Sequence, residues 1–152
     1  MKAFVPRLGF AAAVVAAAAG TASAAPVVLP NSDLTPGVFN PAVRQGTIGR
    51  TICKSGWTRT VRPSTSYTNK LKQVQMVQYG ETGSPSDYEE DHFIPLELGG
   101  APRIPKNLWP EPHAQSKQSD PLETRLKRQV CKRLISLARA RTTIRAFKLA
   151  NG

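Results

Sequence analysis

The sequence predicts an α+β fold with one short pair of strands, several helices and one disulfide. An apolar stretch within residues 88–96 is followed by glycines and prolines and then by a second short stretch at 107–109 that contains Leu108 and Trp109, which is typical of two strands joined by a loop. Apolar residues at helical spacing occupy the segments 64–79 and 120–147. The chain has two cysteines, far apart in the sequence.

The first 24 residues have the pattern of a secretory signal peptide. Lys2 and Arg7 precede an apolar run from Leu8 to Ala19, and the small residues 22–24 form a cleavage site. We expect cleavage after residue 24 and a protein that is secreted or periplasmic, with no membrane span after cleavage. An uncleaved anchor is the alternative, although the run is short for a span of about 20 residues.

Residues 25–48 are rich in Pro, Gly, Asn and Ser and have neither helical nor strand periodicity, so we predict an irregular N-terminal segment. One domain is then predicted at 49–152, beginning with short extended pieces around Cys53. Export to an oxidising compartment makes a disulfide between Cys53 and Cys131 the expected state of the two cysteines.

The first helix is predicted from Pro63 to about Tyr79, with Gly80 as its stop. The helical spacing places Val74 and Val77 near its buried face.

Two further helices are predicted in the C-terminal part. Residues 110–118 form a polar linker, and Asp120 then begins a helix as the N-cap of a capping box, which runs to about Leu134. Ser136 is the expected N-cap of the last helix. The inward-facing residues of that helix are predicted to be Leu137, Ala140, Ile144 and Phe147.

The chain is strongly basic, with 21 Lys and Arg against 10 Asp and Glu and a net charge of +11. Loss of Lys2 and Arg7 with the signal peptide leaves 19 basic residues against 10 acids, a net charge of +9. This charge favours nucleic acid as the partner, with envelope polyanions and anionic membranes as alternatives. Four acids are concentrated in one segment: Glu89, Glu90, Asp91 and Glu97. Such a cluster on a cationic protein suits a bound cation.

The segment Tyr88–Gly100 is the part of the chain that indicates chemistry. Asp91 is a hard oxygen ligand, and His92 is a base whose ordinary pKa lies near neutrality. Adjacent residues of a strand point to opposite faces, so the pair must lie at a strand end if both are to reach one site. Asn107 follows the loop and is expected to bring an amide oxygen back.

This pattern resembles the HNH nucleases of the ββα-metal, or His-Me finger, class. The matching residues are Asp91-His92, Ile94-Pro95-Leu96, Gly99-Gly100 and Asn107-Leu108. Further similarity to small secreted bacterial HNH-type proteins extends the resemblance to roughly residues 50–145. It implies a small ββα-metal core with flanking helices in an HNH-like nuclease domain. Many HNH proteins hold a structural zinc with two Cys-x-x-Cys pairs; this chain has none, so we expect no structural zinc and read the disulfide as its substitute.

The resemblance implies an endonuclease that hydrolyses phosphodiester bonds of DNA, or alternatively RNA, with low sequence specificity. It assigns water activation to His92, orientation of that histidine or completion of the site to Asn107, and ligation of one divalent metal to Asp91. Mg²⁺ is favoured, with Mn²⁺ or another ion as the alternative. The family's further metal ligand on the following helix has no clean match. Its candidates are His113, Gln115, Ser116, Lys117, Asp120 and Glu123, and Glu90 is a candidate second carboxylate.

We expect a monomer that contacts nucleic acid through basic side chains. The candidate residues are Lys70, Lys72, Arg103, Lys106, Arg125 and Arg128. The alternative function is that of a non-catalytic secreted binding protein on the same scaffold, which would hold DNA or envelope polyanions.

Overall fold

The computed structural model describes residues 27–152, so the signal-peptide prediction lies outside the described residues. Residues 27–44 form turns and one isolated bridge between Phe39 and Gly100. A 3₁₀ helix follows at Gln45–Arg50.

A two-stranded antiparallel sheet lies at the centre of the molecule. Strand β1 is Tyr88–His92 and strand β2 is Leu108–Pro112. The register pairs Tyr88 with Pro112 and His92 with Leu108. This sheet, together with the helices and the disulfide, confirms the α+β class and the two predicted strands.

The loop between the strands is compact because two glycines allow the backbone to turn back on itself. Gly99 has a φ of +78°, in the left-handed region that favours glycine. A Cβ at Gly100 would lie 1.7 Å from the carbonyl oxygen of Ile94. These glycines therefore return the chain closely past the end of β1.

Residues 27–152 contain four α-helices. They are α1 at Trp57–Val61, α2 at Thr65–Tyr79, α3 at His113–Cys131 and α4 at Leu137–Asn151. Helix α2 contacts both strands, while α3 contacts the strands and α4. The predicted N-cap of α4 at Ser136 and the predicted end of α2 before Gly80 are confirmed, and Gly80 has a left-handed conformation. Helix α2 begins at Thr65, after the N-cap Ser64, and not at the predicted Pro63.

Two predictions for the N-terminal half are wrong. The segment around Cys53 forms helical turns and α1 instead of extended pieces. Val74 and Val77, predicted near the buried face of α2, are 55% and 80% exposed, and the buried residues are Gln75 and Met76. The Gln75 side chain donates to the carbonyl oxygen of Pro105, a contact with a distant loop that the apolar pattern of α2 does not reveal.

The predicted linker at 110–118 is also wrong, because β2 runs directly into α3. Asp120 is not an N-cap, and Pro121 lies inside the helix. The first half of α3 buries polar side chains, Gln115 among them, so apolar periodicity did not mark it as helix. The helix ends at Cys131 and not at about Leu134 as predicted, and Leu134 is 69% exposed.

The core has two parts, and the disulfide is attached to one of them. One apolar cluster lies between α2 and the sheet and includes Met76 and Trp109. The other joins α3, α4 and the N-terminal turns, and Cys53 packs against it. The predicted disulfide between Cys53 and Cys131 is confirmed, with an S–S distance of 2.01 Å. Within residues 27–152, no helix is long and apolar enough to cross a membrane.

Candidate active site

His92 is the last residue of β1, and its ring is held in one orientation. Its Nε2 lies 3.0 Å from the carbonyl oxygen of Pro102. A carbonyl can only accept, so we assign the ring proton to Nε2, which leaves a lone pair on Nδ1. Burial lowers the pKa of His92, although the Asp91 carboxylate opposes this effect. The imidazole is therefore neutral at pH 7, and Nδ1 has no hydrogen-bond partner among the described residues.

His92 lines a cleft of about 310 Å³ between β1 and the beginning of α2. We call this the His92 cleft. Three side chains give it a cationic or proton-donating rim: Arg62, Lys72 and His113. Lys72 is anchored, because its Nζ donates to the carbonyl oxygens of Pro85 at 2.6 Å and Tyr88 at 2.7 Å. A phosphate group in this cleft would meet Arg62 and Lys72 beside a neutral histidine, with Glu89 also on the lining.

Glu90 lies on the same side of β1 as His92 and lines the same cleft. Neither of its carboxyl oxygens, both buried, has a hydrogen-bond partner in the part of the chain that the structure describes. Burial, followed by repulsion from Asp91, raises the pKa of Glu90 to about 8, against the attraction of Lys72. Glu90 is therefore mostly protonated at neutral pH.

Asp91 points away from the His92 cleft. Its Oδ2 lies 2.5 Å from Nζ of Lys148, a residue of α4. The same ammonium donates to the backbone carbonyl oxygen of His92 at 3.1 Å. Strand geometry thus continues through both residues, and the structure does not bring the Asp91 and His92 side chains into one shared site.

The Asp91 side lies against a pocket of three carboxylates, Asp91, Glu111 and Glu123, around Lys148. We call this the acidic pocket. Lys148 Nζ lies 2.9 Å from Oε1 of Glu123 and 3.7 Å from Oε2 of Glu111. The contact to Glu123 has the distance of an ion pair without the angles of a directed hydrogen bond. Glu111 comes from β2 and Glu123 from α3, so four elements contribute to the pocket.

Charges in the acidic pocket control one another's pKa values. Burial alone would raise the pKa of Asp91, but the Lys148 ammonium and a hydrogen bond with Glu111 hold it at about 2. Burial and the negative charge of Asp91 raise the pKa of Glu111 to about 10. Burial, opposed by Lys148, raises that of Glu123 to about 8. The pKa of Lys148 rises because the three carboxylates outweigh its burial. At neutral pH the pocket therefore holds an ionised Asp91 and a charged lysine beside two mainly protonated carboxyls.

Asn107 is fully buried and fastens the loop between the strands. Its Oδ1 accepts from the backbone N–H groups of Ile94 at 3.0 Å and Val38 at 3.2 Å. Its Nδ2 donates to the carbonyl oxygens of Ile94 at 3.1 Å and Ala101 at 3.0 Å. Ala101 precedes Pro102, whose carbonyl holds the histidine ring. Asn107 thus acts on His92 through the loop, and between residues 27 and 152 no hydrogen bond joins the two side chains.

The remaining predicted residues are dispersed. His113 is exposed at the rim of the His92 cleft. Asp120 is exposed near the acidic pocket, and burial followed by repulsion from Asp91 raises its pKa. Gln115 instead binds both backbone polar groups of Val28. Apart from Lys72, the candidate nucleic-acid residues are exposed and do not line the cleft: Lys70, Arg103, Lys106, Arg125 and Arg128.

The acidic pocket has the oxygen donors that Mg²⁺ prefers, but the Lys148 ammonium lies among them. Mg²⁺ requires oxygens at about 2.0–2.1 Å and cannot share that position. The residues around Asp91 therefore do not fit a resident Mg²⁺ ion while Lys148 lies there. Within 27–152, no group of three His, Cys, Asp or Glu side chains is arranged to hold a metal. The expected metal at Asp91 stays a prediction.

Sequence reasoning missed Lys148 and Glu111 and left Glu123 as one candidate among several. One signal was available for Lys148: it lies four residues after Ile144, on the buried stripe of α4. A lysine at an apolar position of a helix indicates a buried ion pair. For Glu111, only the strand register places its side chain near Asp91.

Comparisons of the chain with family models, with curated proteins and with solved structures gave no match. Function is therefore inferred from the geometry of the site and from the sequence pattern that led to it.

Proposed function

We propose that this protein is a secreted phosphodiester hydrolase that cleaves nucleic acid, with DNA as the first substrate to test and His92 as the general base. One observation carries the proposal: His92 is neutral, its Nε2 is fixed by Pro102, and its Nδ1 is left without a partner among the described residues beside a cationic cleft. A general base near neutral pH needs this combination of a fixed ring and an available lone pair.

The chemistry follows from the cleft. Nδ1 of His92 takes a proton from water, the resulting hydroxide attacks phosphorus, and the bond to the 3′ oxygen breaks as that oxygen takes a proton from solvent water; His92 then returns its proton to the solvent. Arg62 and Lys72 would offset the charge that develops on the phosphate. A divalent ion, where one binds, supplies Lewis-acid stabilisation of that charge. No step of this scheme depends on such an ion.

The order of the elements supports the HNH interpretation. The chain runs from β1 through a Gly-Gly loop to β2 and directly into α3. Asp91 and His92 end the first strand, and Asn107 fastens the loop just before the second. These positions are the ones that the family pattern assigns to the metal ligand, the base and the orienting amide.

A second candidate function is supported by the acidic pocket. Because Lys148 engages Asp91, the chain resembles a scaffold whose metal position has been given up. A non-catalytic protein that holds DNA or an envelope polyanion would still use the positive charge of the chain.

The experiment is plasmid nicking by the mature, oxidised protein in Mg²⁺, Mn²⁺ and EDTA. We expect wild-type protein to nick DNA and His92→Ala to lose at least about a hundredfold in rate, the usual contribution of a general base. Added imidazole should restore part of the loss, because it replaces the missing base and not a missing packing contact. Lys54→Ala, at an exposed residue that does not line the cleft, is the matched control.

Each result distinguishes the candidates. Nicking that persists unchanged in His92→Ala would show that His92 is not the base. Tight retention of DNA without cleavage in any of the metals would support the binding protein. Sensitivity to EDTA would show that the reaction needs a divalent ion.

A further inference from the structure

Lys148 is an unusual buried residue, because its side chain is 0% exposed. It follows Leu137, Ala140 and Ile144 on the inward stripe of α4, where an apolar residue is expected. Lysine is almost never fully buried unless it is paired. The helix thus carries a positive charge into the interior at one fixed point, next to β1.

Two hydrogen bonds and one ion pair hold this ammonium between the acidic pocket and β1. Nζ lies 2.5 Å from Asp91 Oδ2, 2.9 Å from Glu123 Oε1 and 3.1 Å from the carbonyl oxygen of His92. Three oxygens from three different groups surround one ammonium with three hydrogens. These contacts make the lysine ammonium an integral part of the acidic pocket.

The acidic pocket also offers more oxygen donors than one ammonium satisfies. Glu111 is 0% exposed, and its Oε2 has no hydrogen-bond partner within the described part of the chain. The buried Oε1 of Glu123 likewise lacks a directed donor among residues 27–152. Both oxygens face Lys148 Nζ, at 2.9 Å for Glu123 and 3.7 Å for Glu111, so the position that they face suits a hard cation only once the ammonium is absent.

We propose that Lys148 is the resident cation of the acidic pocket, and that the pocket binds a divalent ion only in a chain that lacks this ammonium. The distances carry the proposal, because Lys148 Nζ lies where an ion ligated by Asp91 and Glu123 would have to lie. Expelling the lysine would leave its charge buried without compensation, so wild-type protein resists the exchange. This inference does not depend on the proposed nuclease activity.

The complete burial of Lys148 also excludes direct contact with a substrate. A fully buried ammonium cannot touch a substrate phosphate, so Lys148 is not a catalytic residue. It neutralises Asp91 and fixes the carbonyl group of His92, which makes it a positioning residue at the end of β1.

The test measures binding of Mn²⁺ to mature, oxidised protein by the electron paramagnetic resonance signal of the free ion. Lys148→Ala removes the ammonium and opens space in the pocket. We expect this variant to bind one Mn²⁺ ion at least about tenfold more tightly than wild-type protein, and Glu123→Gln in the same background to reverse the gain. Lys54→Ala, at an exposed lysine, should behave as wild type.

Two results would overturn the proposal. In the first, wild-type protein binds Mn²⁺ as tightly as Lys148→Ala and loses the ion in Asp91→Asn. In the second, folded Lys148→Ala binds no Mn²⁺.

A measurement on wild-type protein covers the case in which Lys148→Ala does not fold. The ammonium hydrogens of a buried, paired lysine exchange slowly and can be observed by nuclear magnetic resonance. We expect one such signal, assigned to Lys148, that keeps its position when Mg²⁺ is added. A signal that moves or vanishes with Mg²⁺ would show that the ion displaces the lysine and would contradict the proposal.

Discussion

Asp91 and His92 are neighbours in sequence with opposite surroundings, because successive residues of a strand point to opposite faces. His92 lines an open cleft with basic residues, whereas Asp91 enters a pocket that Lys148 neutralises. The carbonyl group of His92 connects the two sides, since it accepts from Lys148. His92 can therefore stay neutral beside a carboxylate whose charge is matched within the protein.

The raised pKa of Glu111 leads to a prediction about how the stability of the protein depends on pH. Its pKa is raised from 4.5 to about 10 in the folded protein, so above pH 4.5 the unfolded chain releases a proton that the folded chain keeps. The stability that this group contributes is full below about pH 4.5 and is lost as the pH rises toward 10, at no more than about 1.4 kcal/mol per pH unit.

Glu111→Gln cannot release that proton, and its amide can still donate to Asp91. We therefore expect its free energy of unfolding, measured with urea from acid to alkaline pH without divalent ions, to decline less steeply than that of wild-type protein. Glu123→Gln is the graded comparison, because the pKa of Glu123 reaches only about 8 and its effect should end at lower pH. Parallel curves for Glu111→Gln and wild-type protein would contradict the assignment.

Among the helices and strands, the sequence predicted correctly those whose ends are marked by local signals such as caps and glycines. The cap at Ser136 marked the start of α4, Gly80 marked the end of α2, and the Gly-Gly loop indicated the strand pair. Helix α3 was placed too late because Asp120-Pro121 has the pattern of a helix start. Its earlier half buries polar side chains whose partners are distant, as in the bonds between Gln115 and Val28.

The residues of the candidate site likewise include some that the sequence pattern indicated and others that it did not. Asp91, His92 and Asn107 lie in one short segment and were found as a pattern, although their nuclease roles stay a prediction. The acidic pocket is assembled from β1, β2, α3 and α4, and its central contact joins residues separated by 57 positions. A single sequence contains no local signal for such a contact, apart from the charge that interrupts the buried stripe of α4.

Pro121 supplies a prediction about α3. A proline inside a helix has no N–H to donate to the residue four positions earlier, which here is Lys117. Pro121→Ala restores that donor, while the more flexible unfolded chain offsets part of the gain. We expect the free energy of unfolding to rise by about 1–2 kcal/mol in urea denaturation. Pro85→Ala, at the first residue of a 3₁₀ helix, should instead lower it slightly. A loss of stability in Pro121→Ala would indicate that α3 needs the proline.

Two features affect the molecule as a whole: one disulfide and a large positive net charge. The disulfide closes a loop between residues 78 positions apart and ties the segment before α1 to the end of α3. In the chain-entropy model such a loop stabilises the fold by about 4 kcal/mol. Cys53 packs against the apolar cluster around α3 and α4, and Val130, next to Cys131, belongs to that cluster, so the link joins two segments of one core region.

Net charge and the position of the cleft lead to the last prediction, which concerns where DNA lies. Affinity for DNA should fall with salt, and each phosphate contact contributes about 0.9 to the slope of log affinity against log salt. Removing a cation that contacts a phosphate should therefore reduce the slope by about 1 for any DNA sequence. We expect this result for Arg62→Gln at the His92 cleft, measured by fluorescence anisotropy in a His92→Ala background that prevents cleavage.

Arg125 and Arg128 test how far the contact extends, because Arg125 lies about 18 Å along α3 from His113 at the rim of the cleft. A duplex bound in the cleft and along α3 would make the Arg125→Gln, Arg128→Gln variant lose about 2 in slope, one for each phosphate contact. Lys54→Gln is exposed and outside the cleft, so it should leave the slope unchanged. If Arg62→Gln leaves the slope unchanged while the α3 variant reduces it, the DNA backbone lies along α3 and does not reach His92. That result would contradict the nuclease proposal, which requires His92 and the phosphate to meet.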